Sequence, residues 1–248
     1  MAQLWTEGRV VELKHWSGRL YSLRVEADVA AFEAGQFTKI GLPIDNEMVG
    51  RPYSLANAPD ERPLDFYFII VDNGPLTARL IALKPGDGVN IAPRASGFLV
   101  LSEVPPARHL WLLSTGTGIG PFLSILRTAT PWQRFEKVVL VQAVRTIAEL
   151  TYQETVQTIA KLHAKQFVFV PFVSREDTGF AIRARIPQTI ADGRLEARTG
   201  LTLNTADSQI MLCGNPEMLR DTTEALAPRG LKKHRRRDPG QITVEAYW

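Results

Sequence analysis

The first 104 residues contain short apolar runs, many with alternating apolar and polar positions, that are separated by turn-forming residues. Alternation with a period of two is typical of β-strands, because successive side chains point to opposite faces of a sheet. The pattern predicts one helix over 76–83 and six strands, over 9–15, 20–26, 36–42, 51–56, 64–71 and 88–92. Turn signals such as Asp72-Asn73-Gly74-Pro75 lie between them. Six short strands at this spacing predict a small antiparallel barrel.

The pattern changes after Pro105-Pro106, where continuous apolar runs begin to alternate with segments that are apolar at helical spacing. It predicts strands over 109–114, 138–144, 167–173, 209–213 and 242–247, and helices over 121–129, 152–163, 187–195 and 216–226. This alternation is typical of a parallel sheet covered by helices on both faces. We therefore expect two domains, an N-terminal antiparallel β-barrel over residues 1–104 and a C-terminal α/β domain over residues 105–248.

The composition indicates a folded protein whose basic character is local. Hydrophobic residues make up 45% of the chain, which excludes a disordered chain. The formal net charge is +3, but residues 232–238 contribute five positive charges and one negative charge, so that the rest of the chain sums to 3 − 4 = −1. A general nucleic-acid-binding surface is therefore not expected.

The sequence also indicates the cellular compartment and whether the chain contains a membrane span or a metal site. Residues 109–126 lack charged side chains, but three glycines and Pro121 interrupt this run, which predicts a strand, a turn and a helix rather than a membrane span. The N-terminal residues resemble no secretory signal. With Cys213 as its one cysteine, the chain cannot build a disulfide framework, a structural zinc site or a Cys-ligated iron–sulfur cluster. We expect a cytoplasmic protein with no membrane association and no metal.

The segment from Gly116 to Pro121 follows the first strand of the second half and opens a helix. Glycines at such a position let the backbone approach a pyrophosphate, and the free N–H groups of the helix start favour anionic oxygens. The spacing differs from the Gly-x-Gly-x-x-Gly dinucleotide motif, so a simple tight turn is the alternative interpretation. The segment lies where the ligand crevice of an open α/β sheet is expected.

Arginines follow two of the predicted strands of the second half. Arg145 ends the second strand, where a site that prefers NAD places Asp or Glu, and Arg175 ends the third, with Arg185 shortly beyond. Guanidinium groups at adjacent strand ends suit a 2′-phosphate through forked, charge-assisted hydrogen bonds. The pattern therefore favours NADP over NAD; the alternative is that the arginines are solvated strand ends.

The tetrapeptide Arg51-Pro52-Tyr53-Ser54 offers the groups that a flavin nucleotide needs: a cation for the pyrophosphate, an aromatic ring to stack on the flavin and a hydroxyl for a ring nitrogen. Alternation places Arg51 and Tyr53 on one face of a strand and Ser54 on the other, so we expect a twist or a bulge here. Pro52 removes one ladder donor, which predicts an exposed edge strand. Alone, the tetrapeptide is a weak signal and favours an ordinary edge strand.

Taken in order, several motifs of this chain resemble the ferredoxin–NADP reductase family, most closely the bacterial ferredoxin/flavodoxin–NADP reductases. They are Arg51-Pro52-Tyr53-Ser54, Gly74-Pro75-Leu76-Thr77, Gly116-Thr117-Gly118-Ile119-Gly120-Pro121, Cys213-Gly214-Asn215-Pro216 and Val244-Glu245-Ala246-Tyr247-Trp248. The resemblance implies an FAD-binding barrel and an NADP-binding α/β domain. It also implies an enzyme that exchanges a hydride between NADP(H) and FAD, and single electrons with ferredoxin or flavodoxin.

The resemblance also implies roles for individual residues. The implied FAD contacts are Arg51, Pro52, Tyr53, Ser54, Tyr67, Phe68, Ile69, Ile70, Pro75, Leu76, Thr77, Thr117, Tyr247 and Trp248. The implied NADP contacts are Val144, Arg145, Ser174, Arg175, Arg185, Asn215, Pro216 and Glu217. Four residues are implied at the reaction centre: Ser54 near the reactive N5 nitrogen, Cys213 facing the nicotinamide, Glu245 in proton transfer, and Tyr247 as an aromatic over the flavin ring. Trp248 is implied to cover the adenine, and an aromatic on the nicotinamide face would have to move before hydride transfer.

The basic run Lys232–Arg237 is expected to steer an acidic electron carrier to a monomeric enzyme. Two alternatives stay open. The same modules serve flavin or ferric reductases that act on a small-molecule acceptor, and a non-enzymatic module could use its barrel and basic run to bind nucleic acid. Relatives that carry an iron–sulfur cluster are disfavoured by the single cysteine.

Overall fold

A computed structural model of the protein describes residues 5–246 and contains two sheets. The first sheet consists of six antiparallel strands in the order β4-β3-β6-β1-β2-β5. Their bounds are β1 Thr6–Ser17, β2 Leu20–Ala27, β3 Phe37–Ile44, β4 Glu47–Ser54, β5 Leu64–Ile69 and β6 Gly88–Ile91. A bridge between Leu55 and Phe66 brings the chain just beyond β4 against β5, so that the two edges of the sheet meet. The predicted antiparallel barrel is confirmed.

Alternate positions of the barrel strands fill its interior. Leu23 and Val25 of β2 and Ile40 of β3 are completely buried, as the period of two requires. One short helix, α1 (Pro75–Leu80), covers one end of the barrel and buries Leu76 and Leu80. The helix begins at Pro75, one residue before the predicted start, and ends at Leu80, three residues before the predicted end, because the chain continues in tighter turns in which the Ala82 N–H donates to the Arg79 carbonyl and the Leu83 N–H to the Leu80 carbonyl.

The second sheet is parallel, with strands in the order β11-β10-β7-β8-β9. Its strands are β7 His109–Thr115, β8 Lys137–Val144, β9 Phe167–Val173, β10 Ser208–Gly214 and β11 Ile242–Ala246. Its helices are α2 Gly120–Leu126, α3 Thr130–Arg134, α4 Gln153–Leu162, α5 Ile186–Ala191, α6 Arg194–Thr199 and α7 Pro216–Leu226. The predicted parallel sheet is confirmed, and the strand order reverses between β7 and β10, where open α/β sheets bind ligands.

Each face of the parallel sheet is buried against a different set of elements. Leu112 and Met211 lie on the face that packs against α2 and α4, whereas Trp111 and Leu212 lie on the face that packs against α5, α6 and α7. The first face also shares its core with barrel residues such as Tyr67. Helices therefore cover both faces, and the side that meets the barrel is the one shared with α2 and α4.

Some predicted boundaries are wrong for identifiable local reasons. The strand predicted over 51–56 begins at Glu47, because Asp45 and Asn46 both adopt positive φ and close a tight hairpin from β3. The helix predicted over 187–195 is divided into α5 and α6 by Gly193, whose φ is 79°. The helix predicted over 121–129 ends at Leu126, and α3 follows as a separate short helix with Pro131 in its first turn.

Hydrogen bonds between buried groups join the two sheets. The Ser124 hydroxyl donates to the carbonyl of Asn57 at 2.6 Å, and the Tyr152 hydroxyl donates to Asp65 Oδ1 at 3.0 Å. The division into domains at residue 104 stays a prediction. No helix within residues 5–246 is long and apolar enough to cross a membrane.

Candidate active site

The carboxyl ends of β7 and β10 touch each other because two glycines leave room for the contact. A methyl group at Gly118 would lie 2.3 Å from the carbonyl oxygen of Cys213. A methyl group at Gly214, whose φ is 139°, would lie 2.2 Å from Thr115 Oγ1. The Asn215 N–H donates to that same Thr115 oxygen at 3.1 Å. The glycine-rich segment therefore lies at the reversal point of the sheet.

The segment itself forms a 3₁₀ turn over Gly116–Ile119 that leads directly into α2. Thr117 is buried in this turn, and the turn contacts β5 of the barrel. The implied FAD contact of Thr117 is thus located where the two sheets meet.

The start of α7 opens at the same edge of the sheet. The side chain of Asn215 caps the helix, with its Oδ1 accepting from the Glu217 N–H at 2.8 Å and from the Met218 N–H at 3.4 Å. Asn215, Pro216 and Glu217 are all exposed. The three residues implied as nucleotide contacts are therefore accessible at the end of β10.

Two of the three predicted arginines lie side by side. The hydrogen-bond ladder between β8 and β9 continues beyond both strands, with Ser174 N–H donating to the Val144 carbonyl at 3.0 Å and Arg175 N–H to the Arg145 carbonyl at 2.9 Å. Arg145 and Arg175 are consequently neighbours, and Arg175 is exposed. The side chain of Val144 is buried, so only its backbone is available to a ligand.

The third arginine, Arg185, is exposed at the N-cap position of α5. The chain after β9 loops out and returns to it at a bridge between Phe172 and Ile182, three residues before Arg185. Within residues 5–246, neither Arg175 nor Arg185 makes an ion pair.

Arg145, in contrast, is bound by a residue that the sequence did not reveal. The Glu149 carboxylate accepts from Arg145 Nη2 at 2.7 Å, from its Nε at 3.0 Å and from its backbone N–H at 2.9 Å. This pairing raises the pKa of Arg145 further, so the guanidinium stays charged. The spacing of four residues was the available signal, but it is typical of helical pairs, whereas here Arg145 precedes a 3₁₀ turn over Ile147–Glu149 and Glu149 ends it.

On the barrel, β4 carries the Arg51–Ser54 tetrapeptide along an edge of the sheet. Pro52 is exposed on this edge strand, as expected. The pairing of β3 with β4 is regular from Glu47 to Ser54, so the expected bulge is absent and only strand twist is available. Ser54 is buried, whereas Tyr53 is partly exposed, which keeps them on opposite faces.

The ring of Tyr53 packs edge-on against Phe68 of β5, with ring centroids 5.8 Å apart. Burial raises the pKa of Tyr53 to about 12, against a smaller lowering effect of the Arg51 charge. The structure therefore brings Arg51, Tyr53 and Phe68 together.

Most of the other implied FAD contacts on the barrel have side chains that are buried or hydrogen-bonded within the protein. Tyr67 is buried, and its hydroxyl accepts from Thr151 Oγ1 at 2.8 Å. The Thr77 hydroxyl accepts from the Val71 N–H at 3.1 Å, and Leu76 beside it is buried. Of the remaining members of the two segments, Ile69 and Ile70 are partly buried, and Pro75 is exposed. At Tyr67, Leu76 and Thr77, mainly backbone groups are left for a ligand.

Cys213 and Glu245 are neighbours across the parallel sheet. Ser114 of β7, Cys213 of β10 and Glu245 of β11 pair in one row, and Cys213 is completely buried. Because paired residues of parallel strands point to the same face, Cys213 and Glu245 share the face that meets the barrel. The structure thus brings together two residues that lie far apart in the sequence.

The Glu245 carboxyl lies where the parallel sheet meets the barrel. We call this region, formed by Cys213 and Glu245 of the sheet and by Phe37 and Gly97 of the barrel, the seam. The Oε2 atom of Glu245 is 3.2 Å from the position of a methyl group at Gly97, and Phe37 is 3.1 Å from that same position. Its Oε1 is buried and has no hydrogen-bond partner within residues 5–246. Burial raises the pKa of Glu245 to about 7. A carboxyl in this state holds a proton near neutral pH and can release it.

The seam also includes Ser54. Phe37 pairs with Ser54 in the barrel and with Ser96, the residue before Gly97. Ser54 and Glu245 therefore approach the same place from different sheets. Tyr247 and Trp248, implied to cover the flavin and the adenine, lie outside the described residues.

These groups fit a flavin nucleotide on the barrel and a dinucleotide on the sheet edge. The barrel offers a partly exposed aromatic ring and a cation, and the seam offers a buried carboxyl oxygen that no described residue hydrogen-bonds. The sheet edge offers close-packed glycines and exposed arginines. An aromatic ring, a proton-holding carboxyl and phosphate-binding cations are the groups that bind and tune such cofactors.

The basic run Lys232–Arg237 forms a loop just before β11, and two of its charges are already paired. Lys232 pairs with Asp238, and Arg236 pairs with Glu103. The guanidinium of Arg236 also lies 5.1 Å from the ring centre of Phe98, a side chain that is 67% exposed. The sequence indicated neither Phe98 nor Glu103. Within residues 5–246 no ion pair is made by the three other cations, Lys233, Arg235 and Arg237.

Comparison with known proteins gives several whole-chain similarities. The model of the oxidoreductase NAD-binding domain family matches residues 112–224. The chain is 46% identical to the flavodoxin/ferredoxin–NADP reductase of Escherichia coli K12 over 245 residues, which cover 98% of this chain and 99% of that protein. It is 37% identical to the ferredoxin–NADP reductase of Azotobacter vinelandii, covering 96% of this chain and 95% of that protein.

A solved structure shows the same similarity in three dimensions. The crystal structure of a ferredoxin NADP⁺ reductase from Neisseria gonorrhoeae with bound FAD and NADP superposes with a TM-score of 0.93 at 30% identity. The superposition covers 100% of both chains. Both sheets and their connections are therefore shared with that protein.

Proposed function

The chain belongs to the flavodoxin/ferredoxin–NADP reductase family, and from this premise we propose that it is an FAD-dependent oxidoreductase linking NADP(H) to ferredoxin or flavodoxin. When bound, FAD supplies the chemistry, since it exchanges a hydride with NADP(H) and single electrons with the protein carrier. The observation that carries the proposal is the seam, where Glu245, paired with Cys213 in the parallel sheet, reaches Gly97 of the barrel beside Phe37, the residue that pairs with Ser54.

The barrel holds the FAD. The Tyr53 ring stacks on the flavin, Arg51 neutralises the pyrophosphate, and Ser54 hydrogen-bonds near the reactive N5 nitrogen. Support comes from the partly exposed Tyr53 ring, which Phe68 fixes edge-on, and from the exposed Arg51 beside it. The remaining contacts are made by Pro52, by Tyr67 to Ile70, by Pro75, Leu76 and Thr77, and by Thr117, with Tyr247 and Trp248 from the C-terminus.

The sheet edge binds NADP(H). Arg145, Arg175 and Arg185 grip the 2′-phosphate, assisted by Val144 and Ser174, and Asn215, Pro216 and Glu217 contact the rest of the nucleotide. The neighbouring ends of β8 and β9 support this, because a backbone hydrogen bond joins Arg175 to Arg145. Cys213 faces the nicotinamide, which its position beside the glycine turn supports.

Glu245 holds the proton at the seam. Its Oε1 is buried without a hydrogen-bond partner in the described part of the chain, and burial raises the pKa of this carboxyl to about 7, so that it can hold or release a proton near neutral pH. A donor poised near the working pH is effective in proton transfer. In this role Glu245 delivers or accepts a proton at its Oε1 while Ser54 orients the reacting centre.

The electron carrier docks beside the seam. The loop containing Lys233, Arg235 and Arg237 presents unpaired positive charge, and Phe98 adds an exposed apolar surface next to Gly97. An acidic carrier is steered by such a surface, since opposite charges raise the association rate at low salt. The protein acts as a cytoplasmic monomer, which sedimentation and cell fractionation test directly.

The decisive experiment is a visible spectrum of the purified protein followed by NADPH under nitrogen. We expect flavin absorption bands that bleach with NADPH far faster than with NADH, and reduction of added ferredoxin or flavodoxin. A colourless protein that takes up no FAD would overturn the proposal. A kcat/KM for free flavin or ferric complexes that exceeds the value for either carrier would instead make it a small-molecule reductase.

A further inference from the structure

The guanidinium of Arg145 is held along one edge by Glu149. The carboxylate accepts from Nη2 at 2.7 Å and from Nε at 3.0 Å, and it also accepts from the Arg145 backbone N–H at 2.9 Å. The Glu149 side chain is 18% exposed, whereas that of Arg145 is 55% exposed. The carboxylate is thus the inner partner, and the guanidinium faces outward.

This contact leaves part of the guanidinium free for a second anion. Arginine has five N–H donors in a rigid plane, and Glu149 takes one from Nε and one from Nη2. One donor of Nη1 and the second donor of Nη2 lie along the terminal edge of the plane, and the other Nη1 donor points back toward Cδ. A phosphate can bind that edge in the same forked manner while Glu149 keeps its own edge.

Glu149 is itself fixed by its surroundings. Its backbone N–H donates to the Thr146 carbonyl at 3.1 Å, and the Ile147 N–H between them donates to Glu176 Oε2 at 2.6 Å. Two residues beyond Glu149, Thr151 is tied to Tyr67 of the barrel. The carboxylate is therefore presented from an anchored segment, whereas the long Arg145 side chain without it would sample many rotamers.

We propose that Glu149 is the positioning residue of the 2′-phosphate site: it holds Arg145 so that the Nη1–Nη2 edge points away from the end of β8 toward the phosphate. The inference deepens the proposed function, because it rests on Arg145 as a 2′-phosphate contact. An opposing effect exists, since a carboxylate close to a phosphate repels it. The three hydrogen bonds to one residue, one of them to its backbone, favour positioning as the larger effect.

The test compares the binding of 2′-phospho-AMP and AMP to the FAD-loaded protein by titration calorimetry. We expect Glu149→Ala to weaken 2′-phospho-AMP about tenfold and AMP less than about twofold, a loss typical of a hydrogen bond to a charged group. Glu149→Gln keeps a carbonyl acceptor for the guanidinium and should recover about half of this loss on a logarithmic scale. Glu154→Ala, which removes an exposed acid of α4 five residues away, should change neither affinity.

A double variant shows whether the effect passes through Arg145. In an Arg145→Ala background, Glu149→Ala should cause no further loss, and in the intact enzyme it should raise the KM for NADPH with little change in kcat. Unchanged or tighter 2′-phospho-AMP binding in Glu149→Ala overturns the inference, as does an equal loss in the two backgrounds. If Arg145→Ala itself leaves 2′-phospho-AMP binding unchanged, then the proposed role of Arg145 fails and the inference with it. A large Arg145→Ala effect without a Glu149 effect overturns the inference alone.

Discussion

The two ends of the site use a carboxyl group in opposite ways. At the sheet edge, Glu149 is bound to Arg145 through several hydrogen bonds, which raise the pKa of the Arg145 guanidinium and keep it charged. At the seam, the Oε1 atom of Glu245 is buried and has no hydrogen-bond partner among residues 5–246, and burial raises the pKa of Glu245 to about 7. Pairing preserves a charge, whereas burial without a partner favours the neutral form. The sheet edge is accordingly suited to recognising phosphate, and the seam is suited to holding a proton.

The difference extends to the surroundings of each carboxyl. Arg175 and Arg185 are exposed, so solvent screens their charges and a ligand reaches them without rearrangement of the core. Cys213, beside Glu245, is completely buried. Changes at the sheet edge should therefore alter nucleotide affinity with little effect on folding, whereas changes at the seam should alter the pH dependence of stability.

The largest effect is expected when all three arginines of the sheet edge are replaced. The triple variant Arg145→Ala, Arg175→Ala, Arg185→Ala should lower the ratio of kcat/KM for NADPH to that for NADH by roughly a thousandfold, since each charge-assisted contact contributes about 1.5 to 3 kcal/mol and the effects overlap. The measurement is steady-state reduction of a small dye with each nucleotide.

Arg183 provides the matched control, because it is exposed in the same segment as Arg185 and is not among the predicted contacts. Arg183→Ala should leave the NADPH preference within about twofold of the original, well below the contribution of one charged contact. A triple variant that keeps its NADPH preference would show that the 2′-phosphate binds elsewhere.

The second-largest effect is expected at Glu245 in the seam, where the free energy of unfolding should depend on pH. Folding raises the pKa of Glu245 from 4.5 to about 7, so the folded protein binds this proton more tightly than the unfolded chain. The resulting stabilisation is complete below pH 4.5 and is lost as the pH rises through 7. The change corresponds to about 3 kcal/mol, since one pKa unit is about 1.4 kcal/mol.

Glu245→Gln replaces the titrating group with a neutral amide of similar shape. The difference in the free energy of unfolding between variant and original, from urea titrations of the flavin-free protein, should therefore grow in favour of the variant between pH 5 and 8. Glu224→Gln on the exposed face of α7 should give no such trend. A constant difference for Glu245→Gln across this range would contradict a raised pKa.

Much of the architecture follows from local sequence patterns. The period-two runs predict the barrel strands, and the alternation after Pro105 predicts the parallel sheet, because each strand and helix must bury its own apolar face. Arg145 and Arg175 are predictable as neighbours for the same reason, since adjacent parallel strands end at one edge. The start of β4 could not be predicted in this way. Asp45 and Asn46 are ordinary polar residues that adopt positive φ, and the tight turn they form lets β4 begin four residues earlier than predicted.

Several features of the site depend on contacts that no local pattern contains. Arg236 and Glu103 pair across 133 residues of sequence, and Glu245 meets Gly97 only because β11 lies at the edge of the sheet beside the barrel. The family resemblance implies a flavin contact at Tyr67, but it does not indicate that Thr151 donates a hydrogen bond to the Tyr67 hydroxyl. Burial, partner choice and pKa arise from the packing of the two sheets, so they require the structure.

The smallest effect separates the paired from the unpaired charges of the basic loop. Replacing Lys233, Arg235 and Arg237 with Gln should lower the apparent second-order rate constant for reduction of the carrier about tenfold at low salt, because steering depends on unneutralised charge. Replacing Lys232 and Arg236 should lower this rate less. Asp238 and Glu103 already neutralise these two cations, so the replacement removes less of the free positive charge of the loop.

The rates are best measured by stopped flow with the carrier and with a small neutral dye, each at 20 mM and 300 mM salt. The loss in the triple variant should shrink at 300 mM salt, where the screening length falls to roughly 6 Å, and dye reduction should stay unchanged. Phe98→Ala separates the effect of charge from the effect of apolar contact. It should raise the KM for the carrier at both salt concentrations, because an exposed aromatic side chain contributes by burying apolar surface and not by long-range attraction. Equal losses from the paired and unpaired sets would mean that total charge, and not the arrangement of free cations, guides the carrier.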